Sequence, residues 1–598
     1  MPFRPISSYG FIGNLGSCAL VNLDGSIDWC CLPYLHSPSV FGALLDPEKG
    51  GSFRIRPLEP LKDVRQHYLP NTNILRTEFH TAKGVLELTD WFHMGTFSHE
   101  EEEHHRLPAL YRHLRCLKGE GTADILFDPQ CDYARSPTLL ACTQDGLVAS
   151  SARDVVRLHT HCPFRCGERG AWTRLTMKAG EETTFLCTYG IFEGKPLPDA
   201  AESLLQTKGY WEQWVRDCEH AECPLLGTWH DEAVRSSLVL KILSGGHGIA
   251  AAATTSLPET IGGKENWDYR FSWIRDTSFT IQALTGMGHV SDAREFLDWL
   301  CNEVCEGRKH PKDLRILHPL RGDVMPPEEE LTHLRGYRDS RPVRIGNAAV
   351  EQSQLDIYGE LLESVFRTES LHPDVGHRLA GVLQRIVNHV CDVWRKPDHG
   401  IWEFRSEPKH YVYSKVMCWV AIDRGIRMAE EHHWNVDLAR WKRERQAIRD
   451  LVFERGYSTK RKCFLQEFDS EHIDASALLF PLLEFLPPDH PFAENTLSTL
   501  ERELADGPLM YRTDTHQGKE GAFGLCSFWL VDALALAGQT EKATDHFRAL
   551  LALGNHVGLY AEEIDPKTGA FLGNFPQAFT HVGLINSALY LRQKKPAG

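Results

Sequence analysis

Two short acidic turns carry residue types that could do chemistry together. One is "IWEFRSE", with Glu403 directly after Trp402; the other is "YAEEID", with Glu562 and Glu563 after Tyr560. Cleaving an acetal linkage between sugars needs one carboxyl to protonate the leaving oxygen and a second carboxylate to activate water or attack carbon. Trp402 and Tyr560 are expected to desolvate their neighbouring carboxyls, which raises a carboxyl pKa as a general acid requires. Glu563 is the obvious rival to Glu562, and if one carboxyl points inward the other should brace the turn. Taken singly, either glutamate reads as a surface ion-pair partner or a helix N-terminal charge. A third stretch, "ENWDYRFSWIRDTSFT", ends where a loop becomes a helix. Asp276 there fits an N-cap. It also fits, with Arg275, a bidentate grip on adjacent sugar hydroxyls, with Trp267, Tyr269 and Trp273 available to stack on a sugar's apolar face.

For these turns to act together, the elements between them must bring them to one place. Up to about residue 220 the hydrophobic period is close to two, with hairpins turning at Leu23-Asp24-Gly25 and Lys83-Gly84. That half is expected to form an antiparallel β-sandwich, residues 1–223. From 224 the period becomes 3.6. The spacing predicts helices near 228–244, 276–287, 291–305, 347–367, 374–395, 411–432, 436–456, 472–486, 493–505, 524–538, 540–554 and 577–593. Connections alternate between short bland ones, such as "AGQTE", and long ones loaded with Trp, Tyr, Arg, Asp and Glu. In antiparallel helical hairpins closed in a ring, all the loaded loops emerge at one end. Residues 224–598 are therefore expected to form an (α/α)6 barrel whose single mouth collects the three stretches over a pocket.

Length and composition set further bounds. A chain of 598 residues exceeds one ordinary core, and 42% hydrophobic with 24% charged residues describes a globular protein. A formal charge of −16 argues against nucleic acid or an anionic membrane as partner, and no apolar run is long enough to span a bilayer. "MPFRPISSYGFIG" lacks the pattern of a signal peptide, and the 17 cysteines form no spaced framework, so free thiols and a cytoplasmic location are expected. "SHEEEEHHR", Ser98 to Arg106, reads as a solvated acidic loop. "HTHCPFRCGE", with His159, His161, Cys162 and Cys166, has loosely zinc-like spacing but lacks a second ligand pair. Cys30-Cys31 reads as strand packing. No metal or cofactor is expected, an uncharged or weakly charged partner such as a small sugar or oligosaccharide fits the charge balance, and a homo-oligomer is compatible with the sequence.

The blocks "ENWDYRFSWIRD", "GNAAVEQSQLDIYGE", "GIWEFRSEP", "SKVMCWVAIDRG", "GAFGLCSFWLVDALALAG" and "GLYAEEIDPKTGAFLGNFPQAFTHVGLINSA" resemble, in order, the motifs of glycoside hydrolase family 15. "SSYGFIGNLGSCALVNLDGSIDWCCLP" is similar to the β domain that precedes the barrel in that family's bacterial trehalase-like branch. The resemblance implies an inverting reaction that releases β-glucose from a non-reducing end, α,α-trehalose being the first expected substrate and α-1,4 or α-1,6 glucosides the alternative. It implies Glu403 as general acid, Glu562 as general base, and Arg275 and Asp276 as the grip on the terminal glucose. Trp273 and Trp402 would be pocket walls and Arg512 in "MYRTD" a substrate contact. The branch's Arg-Phe-Asp after its "IDW" strand is replaced here by Tyr34, Leu35 and His36, which puts the leaving-group subsite in question. Two readings of another class remain: a glycoside phosphorylase, against which the glutamate in "YAEEID" argues, and a sugar-binding protein without turnover.

Overall fold

The computed structural model describes residues 3–95, 108–190, 198–220, 225, 228–245, 248–305, 311, 314–322, 324–369 and 374–593. The acidic run at 98–106 and the expected domain boundary at 223/224 lie outside the described residues.

The N-terminal part is an antiparallel sheet structure. Its strands are β1 (Tyr9–Gly13), β2 (Cys18–Asn22), β3 (Ser26–Cys31), β4 (Ser39–Phe41), β5 (Ser52–Pro57), β6 (Leu61–Tyr68), β7 (Leu75–Thr81) and β8 (Gly84–Phe92). There follow β9 (Ala109–Asp128), β10 (Leu139–Thr143), β11 (Gly146–Ser150), β12 (Val155–His159), β13 (Arg165–Cys166), β14 (Ala171–Lys178) and β15 (Glu182–Tyr189). The long β9 belongs to two sets of partners. Its first half pairs with β8, which leads to β7 and β6, and with β15, which leads to β12, β11 and β10. Its second half pairs with β5, which leads to β3, β2 and β1, and with β14, which carries β13. The corner falls at Gly119, whose φ of +68° and 2.1 Å approach of a would-be Cβ to the Lys83 carbonyl leave room for glycine alone.

The two strand sets are bridged by one buried arginine, which is ion-paired within its own set and donates to the Gly25 and Phe53 carbonyls of the other. Arg112 Nε on β9 donates to Asp90 Oδ1 on β8 at 2.8 Å, and Nη2 donates to the Gly25 carbonyl at 2.8 Å. The guanidinium also lies 4.7 Å over the Phe53 ring. Neither Arg112 nor Asp90 has any exposed side-chain surface.

The helices are α1 (Ala200–His220), α2 (His230–Leu243), α3 (Ile274–Gly286), α4 (Val290–Cys305), α5 (Asp356–Glu369) and α6 (Asp374–Val393). After them come α7 (Val412–Glu431), α8 (Leu438–Arg455), α9 (Pro491–Leu504), α10 (Gly524–Leu536), α11 (Thr540–Leu551) and α12 (Ala578–Gln593). α3 packs on α5, α5 on α7, α10 on α12, and α12 on α3. A 3-10 turn at Ala475–Leu479 packs on α10, and its continuation meets α7 through Trp419 against Phe485 and Arg424 Nη2 on the Leu483 carbonyl. Helices α2, α6, α8, α9 and α11 back these elements. Among the described residues no helix is long and apolar enough to cross a membrane.

Three expectations need correction. The 3.6 period begins before 224: α1 docks on the sheet by Ser203, whose hydroxyl takes the Trp91 indole N–H at 3.0 Å, and by Thr207, which accepts from Met94 N. The helix expected from 347 starts at Asp356, because Gln352 is drawn out to the Glu403 carbonyl and Leu355 N to the Asp398 carboxylate. The helix expected over 472–486 stops at the 3-10 turn. Pro481 removes a donor inside it, and Glu484 adopts φ +60°.

The Arg112–Asp90 pair generates a test. Asp90→Ala leaves a buried guanidinium uncompensated and is expected to cost about 3–5 kcal/mol in urea unfolding, whereas Asp90→Leu with Arg112→Met recovers most of the loss.

Candidate active site

The start of α3 and the turn 400–403 grip each other. Trp273 sits at the helix N-cap in extended conformation and uses its indole elsewhere: Nε1 donates to Glu403 Oε1 at 2.6 Å. Arg275, in the first turn, donates from Nη1 to the Ile401 carbonyl at 2.7 Å and brings Nη2 to 3.4 Å from Glu403 Oε1. Glu403 itself has φ +57°, uncommon for a residue with a Cβ, and persists because the turn is over-determined. Its N–H bonds the Gly400 carbonyl, and its own carbonyl accepts from Gln352 Nε2 at 3.1 Å. Both contacts to the Glu403 carboxylate converge on Oε1, and the side chain keeps 18% exposure.

Asp276 lies inside the first turn of α3 rather than at the N-cap, so the capping reading fails. Its Oδ2 is buried 3.2 Å from Arg275 Nη2 without a hydrogen bond among the described residues. Burial pushes its pKa up to about 7 against the pull of Arg275. Asp356, at the start of α5, has both carboxylate oxygens buried and without a hydrogen bond among the described residues. Arg275 is thus a cation held among Asp276, Glu403, Asp356 and Glu360.

Glu562 comes from the opposite end of the helical part. Its N–H bonds the Asn574 carbonyl, Asn574 N donates back to Glu562 Oε2 at 3.1 Å, and Gly524 N donates to the Glu562 carbonyl. The side chain is 1% exposed and Oε1 makes no hydrogen bond among the described residues. Burial first and Glu259 second raise its pKa; Arg512 and the Tyr269 hydroxyl pull it back. Tyr269 links the two halves of the site. Its ring meets Trp273 edge-on at 5.6 Å, and its hydroxyl is pushed well up by burial and by the charges of Glu562, Glu259 and Glu403. One phenol is within electrostatic reach of both candidate carboxylates.

Behind Glu562 lies a charge cluster. Arg512 Nη2 donates to Glu259 Oε2 and to Glu520 Oε2, each at 2.7 Å, and stands 3.6 Å from Glu563 Oε1. Glu563 Oε2 accepts from Gly521 N at 3.0 Å, so it braces the turn while Glu562 faces Tyr269. Glu259, Glu520 and Glu563 are the one group of described carboxylates close enough to hold a metal, yet their balancing charge is already the Arg512 guanidinium.

Of the aromatic residues, Tyr560 is placed differently from expectation. Tyr560 turns its hydroxyl to the Leu551 carbonyl and its ring to His581 and Phe528; Tyr269 occupies the place beside Glu562. Trp402 is tied by Nε1 to Asp474 Oδ2 at 2.7 Å and packs on Phe523 and Trp529. Trp267 carries Arg344 and Arg405 over its ring at 4.5 and 4.4 Å, so it is a platform for cations. Glu259, Glu520, Asp356 and Asp474 were not singled out from the sequence. Isolated acids in loops give no signal until the fold buries them. His159, His161, Cys162 and Cys166 do not gather as a group that could hold a metal among the described residues.

Comparison with known proteins decides the family. The model for glycosyl hydrolases family 15 matches residues 230–589, and that for a trehalase-like N-terminal domain matches residues 3–163. The chain belongs to glycosyl hydrolase family 15. It is a glycoside hydrolase. A trehalase from Thermoplasma volcanium is 35% identical over 99% of this chain and 94% of its own. A trehalase from Mycobacterium tuberculosis is 36% identical over 99% of this chain and 90% of its own. Among solved structures, a bacterial glucoamylase complexed with acarbose has the same fold, with TM-score 0.71 at 12% identity over 99% of this chain and 95% of that one.

Gly573, with φ +68°, lies against Glu562: a Cβ there would stand 2.3 Å from Glu562 Oε2. Gly573→Ala is expected to displace that carboxylate and lower kcat for glycoside hydrolysis at least about tenfold, with substrate affinity less affected. A kcat unchanged in steady-state assays would show the carboxylate's position to be unimportant.

Proposed function

We propose that the protein is an α,α-trehalase that hydrolyses its substrate with inversion, Glu403 as general acid and Glu562 as general base. The observation that supports the reading is Tyr269, whose ring packs edge-on against Trp273, the donor to Glu403, and whose hydroxyl helps hold Glu562 ionised. In the proposed reaction Glu403, fixed through Oε1 by Trp273, uses its other oxygen to protonate the glycosidic oxygen. Glu562, through its unpartnered Oε1, orients water against the anomeric carbon from the opposite face. Arg275 and Asp276 hold hydroxyls of the glucose at the non-reducing end. Arg512 acts by balancing Glu259, Glu520 and Glu563 rather than by a free guanidinium.

The substrate assignment rests on the trehalases that the chain resembles along nearly its whole length. The scaffold we infer is a β-sandwich, residues 1–223 with α1 as its docking helix, followed by an (α/α)6 barrel. The inner ring would be α3, α5, α7, the 475–485 segment, α10 and α12. The buried cysteines among the described residues, none of them in a disulfide, support a cytoplasmic location. A glucoamylase-like specificity is the second reading. The turn at Tyr34, Leu35 and His36 bears on it, because Arg270 Nη1 bonds the Ser37 carbonyl at 2.8 Å and couples this turn to the Trp267–Asp276 stretch.

A panel of trehalose, maltose, isomaltose, kojibiose, nigerose and longer α-glucans, followed by NMR, tests substrate and stereochemistry. Trehalose is expected to be hydrolysed fastest, with equal α- and β-glucose initially, because inversion gives one β-anomer and the leaving glucose keeps its α-configuration. On maltose or isomaltose the glucose newly formed from the non-reducing end is expected as β-anomer; initial α-anomer there would refute inversion. Glu403→Gln and Glu562→Gln should each lose about 10²–10⁴-fold in kcat while keeping the native circular dichroism spectrum.

The pH profile offers a separate check. Glu562 must be ionised to act as base, and the Tyr269 hydroxyl favours that form. Tyr269→Phe removes this help, raises the Glu562 pKa, and is expected to move the acidic limb of kcat/KM to higher pH by up to about one unit. A shift to lower pH would contradict the base assignment.

A further inference from the structure

The open edges of the two strand sets meet at a pair of thiols. Cys142 lies on β10, the terminal strand of the path that runs from β9 through β15, β12 and β11. Cys166 lies on β13, the terminal strand of the path through β14. Both side chains are exposed, and their sulfurs are 2.9 Å apart across 24 positions of chain. The Cys142 thiol also lies 3.8 Å from the Phe164 carbonyl, so the segment that carries Cys166 is held against β10 before any bond forms. The edge belongs to the strand domain, and most of the remaining free cysteines among the described residues are buried.

We propose that Cys142 and Cys166 form a reversible disulfide, a redox clasp joining the free edges of the two strand sets. The oxidant class is a low-molecular-weight disulfide, RSSR. The Cys142 thiolate attacks one sulfur and expels RS⁻; Cys166 gives up its proton and attacks the Cys142 sulfur of the mixed disulfide, expelling the second RS⁻. Two protein thiols become one disulfide and RSSR becomes two RSH. Bond formation needs the sulfurs to close to about 2.05 Å, a small displacement for side chains on edge strands. The bond closes a loop containing β11 and β12, restricting the opening of strands that have neighbours on one side only.

Oxidised glutathione on the full-length protein, followed by alkylation of remaining thiols and peptide mass analysis, tests this. The expected result is a linked peptide pair joining Cys142 to Cys166, reversed by dithiothreitol and absent from Cys142→Ser, but present in Cys162→Ser. Trypsin should also cut after Arg153, in the exposed turn between β11 and β12, several-fold more slowly in the oxidised protein. Full alkylation of both cysteines after oxidation would overturn the proposal. So would a glutathione adduct left unresolved on either, pairing of either with Cys162, or a link that leaves the cleavage rate unchanged.

Discussion

The site depends on one hydrogen bond, from the Trp273 indole to Glu403. A carboxyl in a surface turn is ordinarily a mobile, solvated group; this one is held by a buried donor anchored at a helix start. The donor is fixed because Ser272 and Trp273 pair with Leu317 and His318, and Arg275 clamps the Ile401 carbonyl from the same turn of helix. With Oε1 engaged, the carboxyl presents its other oxygen in a defined direction. The positive φ of Glu403 shows that the backbone accepts local strain to aim it.

The N-terminal part takes part in this positioning. Trp29 donates from its indole to the Ala253 carbonyl at 2.8 Å, and Arg270 reaches across to the Ser37 carbonyl while paired with Asp268. The strip from 251 to 276 is thereby anchored to the strand domain at two points. It supplies Glu259, Tyr269, Trp273, Arg275 and Asp276, so displacement of the strand domain would disturb the groups that hold Glu403 and face Glu562.

Much of this was legible in the sequence, and for identifiable reasons. Alternating burial in β7 and the 3.6 period of most helices follow from one-sided contact with a core, which residue type reports directly. The Trp-Glu and Glu-Glu turns in loaded loops marked the two glutamates that the fold holds by specific contacts, Glu403 by Trp273 and Glu562 by Asn574. What was lost depended on distant neighbours. The chain at 347–355 has helix-compatible residues but gives its backbone and Gln352 to other loops. Tyr560 and Tyr269 are both aromatic and both near an acid in their stretches, and it is the fold that turns Tyr560 to the Leu551 carbonyl and sets Tyr269 beside Glu562. The Arg512 cluster draws on residues as far apart as Glu259 and Glu563, a grouping no local pattern contains.

The loop bearing Glu562 leans on partners made far earlier in the chain: the Thr254 hydroxyl bonds Asn574 across 320 positions, and Asn555 bonds the Tyr9 carbonyl across 546. Such contacts carry a high loop-closure entropy and form late. A nascent chain emerging from the ribosome can therefore complete its strands and most helices while the Glu562 loop is still unformed, and that loop closes only once residues 555–574 have been made.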